Sequence, residues 1–200
     1  GIEEYAYRRL DSHFPIENRL IHFKPVANLK YEAMNEERPK LLPEITRLVN
    51  QYRGENVLVH CVSWPLRNYL MEMLPMAGVD PAALMTHEKH DRAEQLELFK
   101  YSRGRIMISP SYDRGVDLVK GECACVIVAK TPYMSLADKQ VKARIALPNG
   151  QRWYNLRAIQ TVMQMTGRAV RDDQQVCGIY ILDRQFNMLL DMKTGEVYLR

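Results

Sequence analysis

The chain has 200 residues, 46% apolar and 26% charged, the mix of a globular domain with a real core, which excludes a disordered or low-complexity chain. A net charge of +4 and a pI near 8.8 permit a nucleotide or nucleic-acid partner without demanding one. No apolar run approaches the ~18 residues of a membrane span, so no membrane partner is expected.

Residues 1–19 read as an irregular lead-in, with turn chemistry at Phe14-Pro15-Ile16-Glu17-Asn18. Ile21-His22-Phe23 predicts a short strand ending at Pro25. Residues 39–53 predict a helix, since Leu41, Leu42, Ile45, Leu48, Val49 and Tyr52 recur at helical spacing and Gly54 is a stop. Residues 56–61 are a β-branched strand. Ser63 then stands at a helix N-cap with Pro65 just inside, and Leu66, Tyr69, Leu70, Met73 and Leu74 form that helix's buried face. The unit recurs: a weaker strand at 82–86, a helix capped by Asp91 and running through Tyr101, and a strand at 105–109 closed by Pro110. A polar loop spans 111–121 and another continuous apolar strand spans 123–129. Residues 136–146 predict a helix, Pro148-Asn149-Gly150 a break, and a long helix begins near Trp153. Residues 178–182 are the last core strand, and in the C-terminal tail (191–200) Met192 to Arg200 predict a hairpin fragment around Thr194-Gly195 or a loose tail.

Strands that are apolar on both faces and alternate with helices mean a parallel sheet covered on both sides. The expected fold is one α/β domain over residues 20–190, with ligands off the carboxyl ends of the strands. The loops after Cys61, Pro110 and Ala129 and the tip beyond Val170 are the places to look.

Five groups of residues bear on chemistry. In Gln164-Met165-Thr166-Gly167-Arg168-Ala169-Val170-Arg171 the long helical pattern continues. At about 100° per residue, Gln164, Arg168 and Arg171 fall within about 60° of one another. Two guanidiniums one turn apart make a fork suited to phosphate oxygens, though a solvated basic face has the same pattern. Gly167 disfavours a helix interior by about 1 kcal/mol, which points to a close approach there. In the loop Ser111-Tyr112-Asp113-Arg114-Gly115-Val116-Asp117, Gly115 permits positive φ and Asp117 can accept from a ribose hydroxyl or a metal-bound water. An Asp-capped turn reads equally well. Ser63-Trp64 at a strand exit suits base stacking or a half-buried staple. His87-Glu88-Lys89-His90 has histidines three apart in a loop, and no metal is expected there. Cys61, Cys123, Cys125 and Cys177 contain no CxxC pair and read as reduced, buried thiols. Gly1-Ile2-Glu3-Glu4 has neither the basic start nor the apolar stretch of a secretory leader, so a cytoplasmic (nucleoid) or nuclear setting is expected. Gly1 in place of Met predicts a processed or truncated chain. No GxxxxGK[ST] phosphate loop occurs, so any nucleotide is met by arginines and an acidic residue without a cradle.

The order Ser63-Trp64, Ser111-x-x-x-Gly115-Val116-Asp117, Gln164-x-x-Gly167-Arg168-x-x-Arg171 resembles motifs IV, V and VI of superfamily 2 helicases. Phe14-Pro15-Ile16-Glu17-Asn18-Arg19 and Leu182-Asp183-Arg184 are similar to flanking segments of the XPD/DinG branch. The resemblance runs from about residue 10 to residue 190, with motif VI its most specific part. It implies a second RecA-like motor domain of an ATP-dependent DNA helicase. On that resemblance Arg168 and Arg171 reach the γ-phosphate as arginine fingers, Gln164 senses it, and Gly115, Asp117 and Gly167 belong to the nucleotide side. Ser63, Trp64, Ser111 and Tyr112 then meet single-stranded DNA. The implied cofactor is ATP with Mg2+, held mostly by a first motor domain absent from this chain. The branch's iron–sulfur cluster belongs to that same missing half. Arg114 stands where many members carry Glu, a departure at the coupling step. A non-catalytic nucleic-acid-binding module of the same fold, or an RNA helicase, are the alternative expectations.

Overall fold

Four buried runs make the centre of one six-stranded sheet. The structure is a computed structural model and describes residues 18, 20–112, 118–119, 121–167 and 176–190. Strands β1 (Ile21–Ala27), β2 (Val57–His60), β3 (Leu84–Met85), β4 (Ile106–Ser109), β5 (Cys125–Val128) and β6 (Gly178–Asp183) lie in the order β1-β6-β5-β2-β4-β3. Every neighbouring pair is parallel. The helices are α1 (Met34–Glu37), α2 (Leu41–Gln51), α3 (Trp64–Met76), α4 (Arg92–Tyr101), α5 (Lys139–Ile145) and α6 (Gly150–Thr166).

Side chains alternate across a strand, so each strand serves two layers. Val57, Val59, Ile106, Ile108, Cys125 and Ile127 face one side, beneath Leu41, Ile45 and Leu48 of α2 and Leu66, Leu70 and Leu74 of α3. Leu58, Met107 and Val126 face the other, beneath Leu96 and Phe99 of α4. Val128 and Ile181 continue that second layer under Ala158, Ile159, Val162 and Met165 of α6. This is a parallel α/β sheet with helices on both faces, as the alternation of strands and helices predicts, and the RecA-like arrangement that the resemblance implies.

Several boundaries differ from the sequence reading for identifiable reasons. Strand β1 continues through Pro25 to Ala27. It is an edge strand with a register shift between Phe23 and Ala27, where a missing N–H costs no ladder bond. The weak strand at 82–86 shrinks to Leu84–Met85 because the Asp80 carboxylate accepts from Ala82 N–H at 2.9 Å and winds Pro81–Ala83 into a 3-10 turn. The helix expected over 136–146 is confined to Lys139–Ile145 by Asp138, whose Oδ1 accepts from Gln140 N–H (2.7 Å) and Val141 N–H (3.3 Å). Helix α6 starts at Gly150, earlier than expected. Asn149 turns with φ +62° and Gly150 passes the carbonyls of Arg144 and Ile145 too closely for any Cβ. The same helix ends at Thr166, with Gly167 as its C-cap, so Gly167 is an exposed terminus and not an interior break. Helix α1 and the 3-10 turn Arg38–Lys40 carry no apolar period that would announce them, and the turn Arg184–Leu189 has only the single buried pair Phe186 and Leu189, too short to mark an element.

At the amino ends of the strands, buried Asn56 spans three segments. The two hydrogens of its amide nitrogen are shared among the carbonyls of Phe99, Ser102 and Glu122, and its Oδ1 accepts from Arg105 N–H at 3.0 Å. The carboxyl ends are held by Asp183. Its Oδ1 accepts from Leu29 N–H (3.1 Å) and Gln185 N–H (3.0 Å), and its Oδ2 from Thr131 N–H (2.8 Å). One buried carboxylate therefore fixes the chain leaving β1, β5 and β6.

Candidate functional site

The loops at the carboxyl ends of β2, β3 and β4 converge into one cluster. After β2 the chain reverses abruptly. Ser63 N–H donates to the Cys61 carbonyl at 2.8 Å across Val62, whose φ is +64°, the pattern of a γ-turn with positive φ. A β-branched residue in that region is strained, and such strain collects where a side chain must be aimed. It delivers Ser63 to the N-cap of α3 in extended conformation, as expected, but the Ser63 hydroxyl does not cap the helix. Trp64 follows at the first position of α3, half-buried. The Arg67 guanidinium lies over its ring at 4.8 Å, one turn later on the same helix, and is held by Glu88 at 2.8 Å.

After β4, buried Ser109 organises the turn. Its Oγ accepts from Ser111 N–H (3.2 Å) and Tyr112 N–H (3.1 Å). Tyr112 is 1% exposed. Its hydroxyl donates to the Arg92 carbonyl at 2.7 Å, and burial pushes its phenol above the ordinary value. Arg92 returns the contact, donating to the Ser111 carbonyl at 3.0 Å with its guanidinium 5.1 Å from the Tyr112 ring. Among the candidate strand contacts, Ser63, Trp64 and Ser111 are thus partly accessible. Tyr112 is covered, and what it offers is support for the Ser111 backbone.

His87, just beyond β3, joins the two loops. Its ring is 1% exposed, packs at 4.4 Å on Tyr112 and meets the edge of Trp64 at 5.9 Å. Its Nδ1 lies 3.0 Å from the Glu88 carbonyl and its Nε2 2.7 Å from Ser109 Oγ. Burial, and then the nearby Arg92 and Arg67 charges, hold the imidazole below its ordinary pKa against the opposing pull of the Glu88 carbonyl and Asp91. Nothing in the local sequence announced this role. Among the described residues no three His, Cys, Asp or Glu side chains cluster to hold a metal. All four cysteines are free and buried, as the spacing predicted, and burial pushes the Cys61 thiol up to about 12.

Gln164 is exposed in the last turn of α6, and exposed Gly167 closes that helix through its N–H to the Met163 carbonyl at 2.8 Å. Gly115, Asp117, Arg168 and Arg171 lie outside the described residues. The structure therefore brings Ser63, Trp64, Ser111 and Tyr112 together and leaves the arginine pair to the motif. A cavity of about 340 Å³ opens at the opposite, amino ends of β2 and β4, around Tyr52, Gly54, Glu55, Gly78 and Gly104, away from all of these residues.

Residues 45–191 match the family model of the helicase C-terminal domain. The chain belongs to that family. Among curated proteins the helicase C-terminal domain is 24% identical, over 76% of its length, to Regulator of telomere elongation helicase 1 homologs of Drosophila erecta and Drosophila yakuba, and spans 18% of each. Its fold matches an XPD apo structure with TM-score 0.64 at 17% identity, covering 84% of this chain and 36% of that one. It matches S. tokodaii Xpd4 with TM-score 0.59 at 16% identity, covering 90% and 37%. The C-terminal domain of the DEAD-box protein Dbp5 matches with TM-score 0.54 at 14% identity, covering 88% and 84%. The XPD-like resemblance agrees with the family model and the fold. Among the described residues, no helix is long and apolar enough to cross a membrane.

Proposed function

We propose that this helicase C-terminal domain is the second motor domain of an ATP-dependent DNA helicase and works with a first motor domain that carries the phosphate cradle. The observation that carries the reading is the pairing of the motif Gln164-x-x-Gly167-Arg168-x-x-Arg171 with Ser63-Trp64 and Ser111 presented side by side at adjacent strand ends. The donor set fits the arginine half of a shared nucleotide site: two guanidiniums and an exposed amide, with no cradle of its own. Arg168 and Arg171 would neutralise charge on the transferring phosphoryl group, Gln164 would orient there, and Gly115 and Asp117 would couple that site to the strand. ATP with Mg2+ supplies the phosphoryl group whose hydrolysis drives the motor. Ser63, Trp64 and Ser111 would meet single-stranded DNA, mostly at phosphates, while Tyr112 supports the Ser111 backbone. Such a protein belongs where chromosomal DNA is, in the nucleus or nucleoid. A non-catalytic module of the same fold would keep the strand contacts and lose DNA-stimulated hydrolysis. An RNA helicase would prefer RNA duplexes.

Strand binding tests the interface half of this reading. The chain should bind a single-stranded oligonucleotide weakly, with log affinity falling by about 0.7 per log unit of salt for each phosphate contact, as released counterions require. Fluorescence anisotropy across a salt series measures the slope. An affinity flat in salt would contradict phosphate contacts.

A further inference from the structure

We propose that His87 is a positioning residue: through Ser109 and Trp64 it holds the loops after β2 and β4 in one arrangement, and protonation of its ring releases the β4 loop. The inference rests on the proposed strand-contact role of those loops and adds a residue, and a chemical trigger, that the motifs do not contain.

The donors and acceptors around the ring fix its tautomer. The Glu88 carbonyl at 3.0 Å can only accept, so Nδ1 must carry the proton of the neutral ring. Nε2 is then an acceptor, and Ser109 must donate its hydroxyl hydrogen across the 2.7 Å contact. The two remaining lone pairs of Ser109 take the N–H groups of Ser111 and Tyr112. Every position is filled, each in the only sense chemistry allows. A second proton on the ring turns Nε2 into a donor. Ser109 then faces three donors with two lone pairs, and its own hydrogen loses its acceptor. One amide of the β4 turn must let go or the ring must leave. The ring cannot shift alone, because it packs on Tyr112 at 4.4 Å and against the edge of Trp64 at 5.9 Å.

The charged groups around the ring come from both flanking helices. Arg67 on α3 and Arg92 on α4 oppose protonation, while Asp91 and the Glu88 carbonyl favour it, and burial outweighs both. The ordinary value is near 6.5 and the folded value lies below it. The unfolded chain therefore takes the proton first as pH falls. The latch contributes fully above about pH 6.5 and is lost as pH falls through the folded value.

Glutamine supplies the comparison. Its amide oxygen can accept from Ser109 at about the position of Nε2, and it does not titrate. Trp64 supplies the reporter, since Trp64 and Trp153 are the only two tryptophans and imidazolium quenches a neighbouring indole. The test is made on Trp153→Phe and on the same chain with His87→Gln. Fluorescence without nucleic acid and oligonucleotide affinity are each followed from about pH 8 to about pH 5. The expected result is a quenching step below about pH 6.5 that His87→Gln lacks. With it, affinity should fall on the order of tenfold relative to His87→Gln, the effect of one lost hydrogen bond in the loop. Fluorescence that does not distinguish the two chains overturns the proposal. So do affinity profiles that run parallel while the oligonucleotide still binds, and the strand-contact reading survives both results. Absence of oligonucleotide binding at every pH sinks the strand-contact reading instead, and the fluorescence step then judges the latch alone. His87→Ala should weaken binding at every pH. If it fails to fold, the glutamine comparison still decides.

Discussion

Replacing Arg171 with alanine in the complete protein is expected to lower DNA-stimulated ATP hydrolysis by on the order of 10³-fold, the scale of an arginine finger in phosphoryl transfer. Arg168→Ala should behave alike. The family motif places both arginines, which lie beyond the described residues, past the end of the described helix at Thr166. Lysine at either position should rescue little, because a point charge does not reproduce two parallel N–H donors. Affinity for single-stranded DNA should survive in all four variants, since on the proposed reading these guanidiniums would address nucleotide and not strand. Steady-state hydrolysis and strand binding measured side by side check both halves. If the arginines only solvate a helix face, each change shifts stability by less than about 0.5 kcal/mol and leaves turnover near normal.

The largest expected effect on stability is at Asp183. Its carboxylate takes the N–H groups of Leu29, Thr131 and Gln185, and the residue is 1% exposed. Asp183→Ala leaves three donors without an acceptor at the carboxyl edge, at on the order of 1–3 kcal/mol for each that stays buried. Some relaxation is expected, so the loss should be about 4 kcal/mol, or roughly 10 °C in Tm for a domain of this size. Asp183→Asn separates hydrogen bonding from shape. Its oxygen can still serve Leu29 and Gln185, while its NH2 group opposes the Thr131 N–H, and the loss should be about half as large. Differential scanning calorimetry reads all three proteins. A Tm for Asp183→Ala within about 2 °C of the parent would mean that water replaces the carboxylate.

What the sequence made legible and what it hid divide on physical grounds. Strands β2, β4, β5 and β6 are buried on both faces, so their apolar runs announce them, and the parallel sheet follows from their alternation with helices. Strand β1 runs past Pro25, where the sequence predicts its end, because the proline rule for interior strands does not hold at a sheet edge. The cluster at the strand ends was half visible. Ser63, Trp64 and Ser111 could be named from a motif order, but Tyr112 looked available and is covered. His87 read as half of a failed metal motif, yet it is the piece that joins the loops. Its partners Trp64, Ser109 and Tyr112 lie on other elements, and no local period records a contact between residues so far apart in the chain. Asp183 lies in the segment Leu182-Asp183-Arg184, but two of its three partners, Leu29 and Thr131, lie far away in the chain, where no local pattern records them.

The most direct measurement of the central claim is steady-state ATP hydrolysis by the 200-residue chain and by the complete protein, each with and without single-stranded DNA. On the proposed reading the chain would hold the arginine side of a shared site, and its sequence contains no phosphate loop, so it should hydrolyse nothing above background in either condition. The complete protein should hydrolyse ATP and respond to DNA. Hydrolysis by the chain alone, or a complete protein whose turnover ignores DNA, would contradict the account.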